Sequence, residues 1–231
     1  MNTSAVRVEP FQLQIAEGVE VFGERAALNA ATAVVLLLHD QGADLDSLGW
    51  LRAALLDSGL GVISLDLPAH GLSGGSYGPH AAAAIEQAAV LADPDGARGV
   101  AFVAVGMTAV HLLRADVGRA LAAALIWPDD ATGATYADSE WRRTPMLSIL
   151  DPGSPGSEQT ATALAAHARE WNVRAFVHRE SPSPRTTDWR THAAAMVSRF
   201  VLEQSAYRQA RAATRSVAPH LSDPEPQQDR R

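Results

Sequence analysis

Apolar and polar positions along this chain alternate between two patterns. Phe11 to Ala16 and Val19 to Leu28 read as two strands joined by the Glu17-Gly18 turn, an antiparallel hairpin. Ala33 to Leu38 is continuously apolar, as a strand covered on both faces of a parallel sheet must be. Leu45, Leu48, Leu51 and Leu55 then recur at helical spacing. The unit repeats with a strand at Gly61 to Leu65, a glycine-rich loop from Pro68 to Pro79, and an alanine-rich helix from His80 to Ala92. It repeats again with a strand at Gly99 to Val105 and a helix through Leu113. Ala122 to Trp127 and Pro145 to Leu150 follow as strands, Ser157 to Trp171 as a helix, Val173 to His178 as a strand and Asp188 to about Arg211 as a helix. This alternation predicts the α/β class, with a doubly wound, mostly parallel sheet of about eight strands and helices on both faces. Residues 1–206 make one domain, and 207–231 hold a helix end and a tail. The proline, glutamine and charge content from Ser216 onward predicts disorder there.

Composition narrows the chemistry. With 231 residues the chain can bury one substantial core. No apolar run approaches the roughly 18 to 20 residues of a membrane span, and nothing near Met1 resembles an export signal, so a cytoplasmic, membrane-free protein is expected. There is no cysteine, which removes disulfides, thiolate nucleophiles and cysteine metal sites. A net charge of −7 argues against nucleic acid as a partner. The cations are all arginines, so Gly74 to Gly78 cannot belong to a lysine-containing phosphate loop. No metal or cofactor is expected; Asp44 and Asp46 stand where carboxylates complement a helix dipole.

In doubly wound sheets ligands sit beyond the carboxyl ends of the strands. Three loops there carry the chemistry: His39-Asp40-Gln41-Gly42, the run from Asp66 to Ser73, and Gly106-Met107-Thr108-Ala109-Val110. Together these runs resemble the α/β-hydrolase family. Its members show a strand ending in His-Gly, then a run like Asp-x-Pro-Gly-His-Gly-x-Ser, then Gly-x-Ser-x-Gly on a strand-to-helix turn. The resemblance extends to Gln204 and implies a nucleophile at position 108, an acid after Leu150 and a histidine after the last strand. A helical lid is not expected, because the stretch between Trp127 and Pro145 is short.

The departures from that pattern govern the functional expectation. Thr108 replaces the serine, Val110 the second small residue, and Asp40 a glycine beside the oxyanion hole. The loop from Ser181 to Thr187 has no histidine, leaving His178 and His192 as substitute bases. Asp151, with Ser154 nearer the usual acid position, or Asp129 and Asp130 one strand earlier, would supply the acid. His39, Asp40, Gln41, Met107 and Ala109 would frame the oxyanion hole and pocket, with the backbone N–H groups of Gln41 and Ala109 as donors. Each residue also has a structural reading. Thr108 can cap a helix, His39 and His70 can tie down loop backbone, His111 can pack inside, and His80 can start a helix. The leading expectation is a degenerate, non-hydrolytic member that binds a small ligand or a partner. The alternative is a hydrolase of small esters, lactones or thioesters using Thr108 and a displaced histidine. A homodimer through an exposed edge or terminal helix is a third expectation.

Overall fold

A computed structural model describes residues 6–28, 31–96, 98–118, 120–128, 140–150, 157–171, 174–179 and 188–217. Eight strands form one sheet: β1 (Val8–Ala16), β2 (Val19–Ala26), β3 (Val34–Leu38), β4 (Gly61–Leu65), β5 (Val100–Val105), β6 (Ala122–Ile126), β7 (Met146–Leu150) and β8 (Ala175–Arg179). Their spatial order is β1-β2-β4-β3-β5-β6-β7-β8. β1 and β2 form the expected hairpin, β2 meets β4 antiparallel, and every later pairing is parallel. The helices are α1 (Gly49–Asp57), α2 (Tyr77–Ala92), α3 (Thr108–Arg114), α4 (Ser157–Trp171) and α5 (Asp188–Val217).

The continuous apolar runs are explained by burial on both faces. Val34, Leu36 and Leu38 of β3 belong to a buried cluster that also takes in Ala84 and Ile85 of α2, Leu112 of α3 and Leu164 of α4. Val35 and Leu37, pointing the opposite way, belong to a second buried cluster with Leu51 and Leu55 of α1 and Val197 and Phe200 of α5. β1 borders the sheet and alternates half-buried with exposed positions, as an edge strand with one wet face does.

Because β3 and β5 are neighbours while β4 lies on the other side of β3, two loops distant in sequence emerge side by side at the carboxyl edge. These loops start at His39 and Gly106. Between β6 and β7 a 3-10 turn, Glu140–Arg143, buries Trp141 edge-on against Phe102 with centroids 5.4 Å apart. Among the described residues, no helix is long and apolar enough to cross a membrane.

Candidate functional site

The run from Asp66 to Ser73 builds the floor of the site. Asp66 is buried, its Oδ1 accepting from Leu45 N–H at 2.9 Å and its Oδ2 from Leu72 N–H at 3.1 Å. Ser73 donates to the Asp66 carbonyl at 2.7 Å and accepts from Phe22 N–H at 2.9 Å. His39 Nε2 accepts from Leu67 N–H at 3.0 Å, so its proton is on Nδ1 and is donated to the Asp40 carbonyl at 2.8 Å. His70 does the same, accepting from Gly42 N–H at 2.9 Å and donating to the Pro68 carbonyl at the same distance. Both imidazoles therefore have their nitrogens tied to backbone. Burial holds His39 below the usual imidazole range, which favours this neutral form.

The turn after β5 bends at Gly106, with φ +56°, and Thr108, where the family motif centres its turn, lies in the helix that follows. Met107 is already helical, at φ −60° and ψ −25°, and α3 begins at Thr108. Glycine enters left-handed space freely, whereas a β-branched threonine resists it, so the bend moves two residues upstream. Thr108 is fully buried in the first helical turn. Its hydroxyl donates to the His39 carbonyl at 2.6 Å and so accepts from the Tyr77 hydroxyl at 2.7 Å. Burial raises the Tyr77 pKa, which keeps the hydroxyl a protonated donor. His111 packs edge-on to the same tyrosine, with centroids 4.7 Å apart.

Asp40 Oδ1 accepts two backbone N–H groups, from Gln41 at 2.7 Å and from Met107 at 2.9 Å. The carboxylate lies directly over Gly106. A Cβ there would stand 2.1 Å from Oδ1 and 2.4 Å from Oδ2. Among the described residues, Oδ2 has no hydrogen-bond partner. The half-buried Asp40 thus fills the volume that a side chain at the bend would occupy. The Ala109 N–H, expected as an oxyanion donor, donates to the Gly106 carbonyl at 3.2 Å. The N–H following the bend belongs to Met107.

The other candidates lie elsewhere. His178 is in β8 and His192 on the exposed side of α5, their rings 5.3 Å apart. β8 is three strand spacings from β5, about 14 Å. His178 also lines a cavity of about 330 Å³ between β8 and α5, with Phe176, Met196 and Phe200. Asp129, Asp130, Asp151, Ser154 and the Ser181 to Thr187 loop lie outside the described residues. Sequence reasoning missed Tyr77, whose hydroxyl reaches Thr108 from α2, and a half-buried group of Trp50, Trp127 and Trp189. Trp127 packs on Trp189 at 4.4 Å and takes φ +48° immediately after β6. No local signal marks either feature, because both join residues from separate helices and loops.

No family model and no curated relative matches the sequence. The structure superposes on the esterase Pf2001 of Pyrococcus furiosus with a TM-score of 0.69 at 15% identity, covering 87% of this chain and 91% of that one. Brefeldin A esterase, a bacterial homologue of human hormone-sensitive lipase, matches with a TM-score of 0.69 at 12% identity over 90% of this chain and 80% of that one. Esterase LipW of Mycobacterium marinum matches at 0.64 and 14% identity, over 87% and 83%. The chain has the α/β-hydrolase fold. Within that fold, the strand-to-helix turn after β5 is where a nucleophile is normally displayed, and here it displays a glycine with an aspartate laid over it. The N–H groups of Gln41 and Met107 beside it hold a carboxylate oxygen.

Proposed function

We propose that this α/β-hydrolase-fold protein runs no serine- or threonine-type acyl transfer and instead binds a small molecule or a partner at the carboxyl edge of β3 and β5. The observation carrying this reading is the Asp40 carboxylate bridging Gln41 and Met107 over Gly106. An incoming ester carbonyl would have to displace that oxygen, and its developing charge would face a carboxylate. Losing a single oxyanion donor already costs about 100-fold to 1,000-fold in rate. Thr108 is no better placed, because its only proton is given to the His39 carbonyl and its oxygen is fully buried. Neither His39 nor His70 has a ring nitrogen left to activate it.

A second reading, an esterase-type hydrolase using Thr108 and a displaced histidine, draws on the esterases among the structural neighbours. A panel of nitrophenyl esters on the wild-type chain and on Thr108→Val separates the two. Equal, background rates are expected. Turnover that disappears in Thr108→Val, or fluorophosphonate labelling of Thr108, would overturn the first reading in favour of the second.

A further inference from the structure

We infer that His178, His192 and Met196 form a binding site for a soft monovalent metal ion, Cu(I), between β8 and α5. His192, Met196 and Phe200 recur every fourth residue and so form one stripe along α5. That stripe faces the edge strand β8: the His192 ring is 5.3 Å from that of His178, and the Phe200 ring 5.8 Å from that of Phe176. Met196 falls between these two contacts and lines the same cavity of about 330 Å³ as His178. A helical methionine leans back over the turn before it, which here carries His192. Two imidazoles and a thioether from two elements therefore meet at an apolar cavity. The site is three strands from β5 and stands under either reading of the edge at β3 and β5.

The separation of the rings suits a shared ion. With metal–nitrogen bonds of about 2.0 Å each ring centroid stands roughly 3 Å from the ion, so centroids 5.3 Å apart subtend roughly 120°. That angle is trigonal and leaves the third direction to the Met196 sulfur. Rotation about histidine χ2 is soft, so both rings turn a nitrogen to the common point at small cost. The donor set selects the ion. All three donors are neutral, and Glu203, the carboxylate lining the cavity, is engaged by Arg199 at 2.7 Å. Among the described residues no group of three histidines, carboxylates or thiolates assembles, so a hard divalent ion lacks its oxygen donors and zinc lacks half of its usual ligands. Cu(I) carries a single charge, accepts three ligands and is the ion that a thioether selects.

The test titrates the full chain with Cu(I) under argon, in competition with the coloured chelator ferrozine. One ion per chain is expected, held more tightly than Zn(II) is in a parallel titration. His192→Gln removes a ligand from the exposed side of α5. Its Cu(I) affinity is expected to fall by at least about tenfold, the loss that even a supporting group brings. Met196→Leu keeps the packing volume and removes the sulfur; it is expected to weaken Cu(I) by a similar factor and to leave Zn(II) affinity unchanged. Urea midpoints establish that both variants fold. NMR of the wild-type chain decides the matter if either does not, because Cu(I) is diamagnetic: the Met196 methyl and the ring signals of His178 and His192 are expected to shift together at one equivalent. No binding, Zn(II) bound as tightly as Cu(I), full Cu(I) affinity in either folded variant, or a Met196 methyl signal that stays in place would overturn the inference.

Discussion

Asp40 and Gly106 are in contact across two neighbouring strands, the carboxylate of one resting on the bare Cα of the other. The same device recurs nearby, where the Asp66 carboxylate lies over Gly71 and a Cβ would stand 1.9 Å from Oδ2. In both places a loop carboxylate gathers backbone N–H groups from two chain segments, and a glycine provides the space.

Gly106→Ala is expected to destabilise the fold. The left-handed φ of +56° alone costs a non-glycine residue about 1 to 3 kcal/mol, before the overlap with Asp40 is counted. In an Asp40→Gly background the overlap disappears and only the backbone cost remains. Urea unfolding of the four chains in a double-mutant cycle measures this coupling, expected at about 0.5 to 3 kcal/mol. Additive effects would mean that the two residues do not share the space.

Thr108→Val keeps the shape and removes the hydroxyl, leaving the His39 carbonyl and the Tyr77 hydroxyl each without a partner. A loss of about 1 to 3 kcal/mol is expected, and Thr108→Ser, which retains both bonds, costs less. Adding Tyr77→Phe to Thr108→Val removes one stranded group and recovers part of the loss. Thermal melts of the series check the ordering.

Stability falls on mild acidification. Burial lowers the pKa values of His39 and His111 from 6.5, with Arg114 adding to the effect at His111. Below pH 6.5 the unfolded chain takes up these protons while the folded chain does not, so acid favours unfolding. The contribution is constant above 6.5 and is lost as pH falls through 6.5 toward the folded values. Each group adds a slope of at most about 1.4 kcal/mol per pH unit. Urea midpoints between about pH 7.5 and pH 5.5 measure the slope. His111→Gln, which disturbs no backbone bond seen for His39, is expected to flatten it.

The second half of α5 is anchored to the opposite end of the sheet. Arg208 donates to the carbonyls of Arg98 at 3.0 Å and Gly96 at 3.3 Å, and Ser205 donates to that of Thr32 at 3.2 Å. A chain ending at residue 206 loses the arginine, and a chain ending at 217 keeps it. The shorter form is expected to be less stable by about 1.5 to 3 kcal/mol, and Arg208→Met in the full chain reproduces most of that difference. Equal denaturation midpoints for the two truncations would contradict this.

The linear chain by itself determined the architecture. Apolar runs such as Ala33 to Leu38, too continuous for a strand with one wet face, required a parallel sheet covered on both sides, and every expected strand and helix has its counterpart. The pattern from Asp66 to Ser73 likewise marked the loop that ties the site together, because its bonds are largely local. Position along the chain could not determine what fills the site. Asp40 and Met107 are 67 residues apart, and only the insertion of β5 beside β3 brings the carboxylate within 2.9 Å of that N–H. The family motif centres its turn on position 108, where a β-branched threonine resists it, and the bend lies at Gly106, where left-handed backbone is cheap and an approaching side chain finds room. Local propensity writes strands and helices into a sequence; which atoms meet at their ends depends on the order in which the sheet stacks them.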